Sequence, residues 1–574
     1  MAARARTLVS ALALAALIAF GRSCSVATAG FVYDDEDAIL EHPHLRDVRH
    51  VGRLFLTEYW GGDRANQMYR PLQQVSYLID GVLFDFEREA THASHLAWHL
   101  AAVLAGFALL KRVGVGAGPA FAAAAAFGVH PALTDASVWI SGRCDVLALL
   151  FSALALLRYR AVAAADVPRT RDAVLAAAWL LAAALSKEVG LAAPGAALVL
   201  FGRRAARGGR WTCAALAVYG ALRLGAVEGF LPGLPDDVGV VLQDRDLFER
   251  VAIGCRAQLL LVGRLFAPWL SVADHRAHPL ALPAAPVGVS GVVSIVVFVA
   301  TFVAAARARG PSAGAIALRL TGAAAAFFVP VLQIWPIGAV MPERFLYVPA
   351  LFLLGAVARL GAAAVPNAPR WSWSTRVLAP GLFAGVVVLC LTLGLRDKVG
   401  DRRVYDDDGA FFSDVVAAYP HDERAWNNLG VYWMKDATPP RFDDADRCLE
   451  EAVRLRPGYR RGALNLARSA LERHRTTRDA SRLHVAEAAL EARLGADDGD
   501  AWMLLGHVES RRIALAADDV ERLVCAERAE SAFLRAAEAL AREARPRPAE
   551  IEAARRHAAA ARATAARYAA AVEE

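Results

Sequence analysis

Apolar stretches long enough to cross a bilayer recur through the first 396 of the 574 residues, and few folds accommodate that pattern. They run over Leu8–Phe20, 94–110, 117–133, 144–160, 172–186, 190–201, 211–227, 287–306, 315–333, 345–361 and 376–395, with short polar loops between them. A backbone in hydrocarbon must satisfy its own hydrogen bonds, so such stretches read as helices. The expected fold is all-α: a polytopic core of about 11 spans over 1–396, then a helical domain over 397–574. The break near Arg396 is compositional, because long apolar runs vanish after it and charge density climbs. Mean hydropathy is +0.33, with 56% hydrophobic and 21% charged residues, which excludes a disordered chain and a basic nucleic-acid-binding tail. The bilayer is an expected partner and nucleic acid is not.

Arginine and lysine set an orientation. The N-terminus, Lys111-Arg112, Arg158 to Arg171, Arg203 to Arg210, Arg307 to Arg319 and Arg370 to Arg376 fall on every second connection, as cytoplasmic loops do. The N-terminus is then cytoplasmic. Loops 24–93, 130–143, 228–286 and 334–344, with the C-terminal domain, face the other side, outside a bacterial inner membrane or within an ER lumen. Segment 253–270 would break the alternation, and Arg256 and Arg264 inside it fit a re-entrant or interfacial helix. Leu8–Phe20, between Arg4, Arg6 and Ala27-Thr28-Ala29, has the layout of a cleaved signal peptide, yet it also serves as an anchor for the spans that follow. Seven scattered cysteines without a CxxC pair indicate neither a zinc site nor a disulfide framework.

The C-terminal domain carries a repeat. Trp426, Leu429, Gly430 and Trp433 precede Ala445, Leu449, Ala452 and Pro457, the spacing of a tetratricopeptide (TPR) helix pair. Trp502, Leu505 and Gly506 restart the pattern, and Ala529, Phe533 and Ala536 supply its second helix. Such arrays bind peptides or proteins, so a protein partner is expected here; a generic alanine-rich bundle is the plain alternative.

Charge near membrane spans is costly, which makes polar residues on the outer side functional candidates. Phe31-Val-Tyr-Asp-Asp-Glu-Asp37 opens the first outer loop, and Asp34 or Asp35 could take a proton from an acceptor hydroxyl. In a polar loop their replacement should cost little stability. Arg70, Arg143, Lys187 and Arg344 lie on the same side, beside Glu188; Lys187 is one of four lysines in an arginine-using chain. Cations there suit the phosphate of a lipid-linked donor. The plain alternative is ion pairing, for instance Lys187 with Glu188 or Glu343 with Arg344. His92, His95 and His99 share one helical face, where helix packing or a polar substrate group is a better reading than zinc. No cofactor is fixed, and a divalent cation stays open.

Phe31-Val-Tyr-Asp-Asp, Tyr69-Arg-Pro-Leu, Phe127-Gly-Val-His-Pro-Ala, Val138-Trp-Ile-Ser-Gly-Arg-Cys-Asp, Ser186-Lys-Glu-Val-Gly-Leu and Glu343-Arg-Phe-Leu-Tyr-Val-Pro stand in the order seen in one family. With them the chain resembles the multispanning GT-C O-mannosyltransferases that carry C-terminal TPR repeats (the transmembrane-and-TPR family) and their bacterial relatives. The resemblance implies an inverting glycosyltransferase that uses a polyprenyl-phosphate-linked sugar, with mannose passing to a hydroxyl of a protein acceptor on the extracytoplasmic side. It places the essential acidic pair on Asp34 and Asp35 and the lipid phosphate near Arg70, Arg143, Lys187, Glu188 and Arg344. His95 stands where the family usually has asparagine, and Cys144 where alanine is common. Two rivals stay open: a non-catalytic membrane-anchored TPR scaffold, and a transporter, which would place its charges at mid-membrane.

Overall fold

A computed structural model describes residues 2–60, 68–227, 245–267, 287–335, 337, 339–364, 404–491, 498–543 and 547–573. Among these, every regular element is a helix, and they form two compact units, Met1–Ala418 and Tyr419–Glu574. The division thus falls after Ala418, beyond the compositional break at Arg396. The expected span 376–395 lies outside the described residues.

In the first unit the long helices are α1 (Ala2–Thr28), α2 (Pro71–Phe84), α3 (Arg88–Val113), α4 (Ala117–Val129), α5 (Arg143–Ala164) and α6 (Thr170–Ser186). They continue as α7 (Ala193–Phe201), α8 (Gly209–Ala226), α9 (Leu247–Phe266), α10 (Val287–Arg307), α11 (Ala313–Phe328), α12 (Tyr347–Ala364) and α13 (Asp408–Ala418). Four described helical stretches are long and apolar enough to cross a membrane: Arg88–Val113, Ile140–Ala164, Ala313–Val331 and Glu343–Ala364. Thr7–Ser23, Ala117–Val129, Glu188–Phe201 and Val292–Arg307 are shorter apolar helices. Of segment 253–270, residues 253–266 lie in α9, whose buried side carries Cys255, Ala257 and Leu261, and 268–270 lie outside the described residues.

Local chemistry sets the helix ends. The Glu87 carboxylate caps α3 by accepting from the amides of Glu89 and Ala90, and Gly114 closes it in the left-handed region at φ +103°. Small residues then let helices approach. Leu351 of α12 fills the space at Gly106 of α3, and Leu110 of α3 fills the space at Gly355 of α12, a reciprocal fit that any added Cβ would push apart. α1 belongs to this core. Leu14 and Ile18 are fully buried, and the buried Arg22 donates to the carbonyls of Gly128 and His130.

Loop 24–93 is not irregular throughout. Pro71 starts α2, which buries Gln73, Gln74, Tyr77 and Asp80 while Ile79, Val82 and Leu83 stay exposed.

The second unit contains α14 (Glu423–Lys435), α15 (Phe442–Leu455), α16 (Arg460–Thr477), α17 (Ser481–Glu491), α18 (Gly499–Arg512), α19 (Asp519–Arg542) and α20 (Pro548–Glu573). Each packs on the next, and α14, α16 and α18 also pack in sequence. Two glycines of the repeat pattern lie at helix crossings: Leu449 stands where a side chain on Gly430 would go, and Phe533 does the same at Gly506.

Candidate active site

Antiparallel helices return the C-terminal ends of α1, α4, α6 and α8 and the N-terminal ends of α3, α5 and α12 to one end of the bundle. Contacts there join Arg22 to His130, His95 to Ala136, Arg344 to Asp135 and Arg223 to Glu188. All seven expected site residues, with Asp34 and Asp35 among them, lie at this end. They do not share one environment.

Asp35 is fully buried. Its Oδ1 accepts from the Ser141 amide at 2.8 Å and the Ser141 hydroxyl at 2.5 Å, and its Oδ2 accepts from the Val32 amide at 3.2 Å. Burial pushes its carboxyl from 3.8 up to about 7, with the charge of Asp34 adding and the Ser141 and Val32 donors opposing. The expectation of a replaceable acid in a polar loop is therefore corrected for Asp35, because its surroundings are protein. Asp34 is half-buried. It lies within electrostatic reach of Tyr59, whose phenol burial holds above its ordinary value, with Cys144 and Asp34 adding and Arg70 opposing.

Three cations each face a carboxylate. Arg70 meets Glu188 at 3.2 Å, with Cys144 Sγ 3.7 Å from its other terminal nitrogen. Lys187 Nζ donates to both oxygens of Asp145 at 2.6 Å and stands 5.5 Å from the Phe345 ring. Arg344 meets Asp135 at 3.4 Å and lies 5.0 Å over Trp139, whose indole N–H donates to the Val32 carbonyl. The pairings anticipated from sequence are not the ones formed. Lys187 takes Asp145 in place of Glu188, and Glu343 takes Arg264 at 3.0 Å in place of Arg344. Glu188 also approaches Arg223, at 3.7 Å.

Arg143 differs from the other cations. It is fully buried, meets Asp80 at 2.5 Å, donates to the Ser76 and Thr91 carbonyls and to His95 Nδ1, and sits 5.0 Å over the Tyr77 ring. These contacts pin α2 to α3 and α5 and leave the guanidinium enclosed by protein groups. The three histidines also work as packing groups. The Nε2 of His92, His95 and His99 lies 3.1, 3.1 and 3.0 Å from the carbonyls of Gly30, Ala136 and Gly128. Among the described residues, no three His, Cys, Asp or Glu side chains are grouped to hold a metal ion.

Sequence reasoning missed Asp80, Asp135, Asp145, Tyr59 and Arg223. Asp135 and Asp145 fall inside or beside quoted motifs, but an acid's partner 42 or 209 positions away leaves no local periodicity.

No family model matches the chain. Several curated proteins do. Protein O-mannosyl-transferase TMTC3 of Mus musculus is 29% identical over 171 residues, covering 29% of this chain and 18% of that protein. TMTC1 of Mus musculus is 34% identical over 155 residues, covering 26% and 16%. Tmtc1 of Drosophila melanogaster is 30% identical over 161 residues, covering 26% and 18%. The chain thus spans less than a fifth of the length of these relatives. Over the matched part, the chain is similar to proteins named protein O-mannosyl-transferases, in line with the resemblance that its six motifs carry.

Proposed function

We propose that the chain is an inverting GT-C glycosyltransferase that moves a sugar, mannose by family resemblance, from a polyprenyl-phosphate donor to a hydroxyl of a protein acceptor. The core crosses the membrane about 11 times with its arginine-rich loops in the cytoplasm, so that Asp34 and the three paired cations face the opposite side. The acceptor oxygen attacks the anomeric carbon of the sugar, and its proton passes to the Asp34 carboxylate. The bond from that carbon to the phosphate oxygen breaks with its electron pair, leaving polyprenyl phosphate. Arg70, Lys187 and Arg344 receive the developing charge. Each is already fixed by a carboxylate, so its position is set before the donor arrives. Asp35 shapes the loop through Ser141 and does not take the proton.

The observation that carries this reading is the convergence of Asp34, Arg70, Lys187 and Arg344 at one end of the helix bundle, in a chain whose matched relatives are named O-mannosyl-transferases. For a divalent cation, the described residues offer no grouped donor set, and no step is assigned to one. The second unit, read as a TPR array, captures the acceptor polypeptide. Membranes carrying the full chain should transfer label from radiolabelled polyprenyl-phosphate mannose to a protein acceptor. If no polyprenyl-phosphate sugar is consumed, the scaffold reading replaces this one.

A further inference from the structure

Residues 405–412 pack against the chain at the start of the acidic run. Tyr33 lies immediately before Asp34, with φ at +53°, a left-handed conformation that an aromatic residue rarely adopts. Three contacts hold it there. Its amide donates to Asp408 Oδ1 at 2.5 Å, its ring stacks 6.3 Å from Phe411, and it meets Phe412 edge-on at 5.4 Å. Three residues earlier, the Gly30 amide donates to the Tyr405 carbonyl at 2.7 Å, and a Cβ on Gly30 would stand 2.3 Å from the Asp406 carbonyl oxygen. Just after this turn the two acids diverge: Asp35 goes into the protein toward Ser141, and Asp34 stays half-buried near Tyr59. Such conformations persist only when their surroundings over-determine them, and they gather at functional sites.

We propose that Asp408 is a positioning residue for glycosyl transfer: it fixes the left-handed turn at Tyr33 and so sets where the Asp34 carboxylate meets the acceptor hydroxyl. The inference rests on the function proposed above. It extends the catalytic unit through Ala418, past the compositional break. A carboxylate displaced by about an ångström loses most of its use as a base, without loss of donor binding.

The test uses the full chain in membranes with radiolabelled polyprenyl-phosphate mannose. D408A should lower kcat roughly 10- to 100-fold while leaving KM for the donor within about twofold. D408N, which keeps an acceptor oxygen for the Tyr33 amide, should recover most of the rate. G30A, which forces the 405–408 strand of chain away from the loop, should reproduce the D408A defect. Hydrogen exchange of amides 30–35 should quicken in D408A and G30A while the core helices keep their protection. Wild-type kcat in D408A, or equal loss in D408A and D408N, would overturn the proposal, as would exchange that rises throughout the core. A wild-type protein that consumes no donor would remove the reading beneath it. Unchanged exchange at 30–35 in an active enzyme would remove the clamp alone.

Discussion

The Asp35 carboxylate joins loop 24–93 to Ser141, 106 positions away, through the serine's amide and its hydroxyl. That bridge makes one member of the acidic pair structural. D35A should therefore destabilise the first unit by about 1–3 kcal/mol, because three buried donors lose their acceptor. D34A, at a half-buried site, should stay within about 0.5 kcal/mol of wild type. Thermal unfolding in detergent separates the two. Equal stability loss would contradict the division of roles.

The same burial gives a pH signature. The Asp35 carboxyl is held near 7 when folded, against 3.8 ordinarily, so it takes up a proton on folding between those values. Its stabilising contribution is complete below the ordinary value and is lost as pH rises through about 7. Hydrogen exchange at amides 30–35, corrected for intrinsic rate, should rise from about pH 6 to about pH 8 in wild type and stay flat in D35N. A flat wild-type profile would mean that the Ser141 and Val32 donors outweigh burial.

Arg143 and Asp80 are both fully enclosed, so removing one strands the other's charge. R143M should cost about 3–5 kcal/mol, and R143M/D80L should recover part of that loss. Donor KM in the folded fraction should not change. A stable R143M with a sharply raised KM would return this arginine to the phosphate site.

Orientation is tested at exposed positions. A cysteine at Ala206 should be shielded from an impermeant thiol reagent in intact cells, and one at Arg475 should be labelled. The reverse labelling would place the site on the cytoplasmic side.

Residues 421–574 can be removed without touching Asp408 or Tyr33. That deletion should weaken modification of a protein acceptor and spare slow donor hydrolysis or transfer to a small acceptor, as expected when a tethering domain is lost. Equal loss of both activities in a truncated chain that still inserts would mean that the repeats complete the site.

Helix placement was legible because apolar period and caps are local: the expected 94–110 and 144–160 lie within α3 and α5, and 190–201 differs from α7 only by a tight turn at Glu188–Ala192. The site was legible by residue type but not by partner. Lys187 stood out as a lysine, yet nothing near it in sequence points to Asp145. Arg143 looked like the other outer cations until Asp80 enclosed it, and Asp80 lies on a helix that the loop's polarity concealed. The clamp at Tyr33 spans 375 positions and leaves no pattern in composition.

The most direct measurement is release of polyprenyl phosphate from its mannosyl donor by the full chain, with a protein acceptor present, compared with D34N under the same conditions. The account predicts a 10²–10⁴-fold lower kcat in D34N at unchanged stability and donor KM. Wild-type turnover in D34N would contradict it.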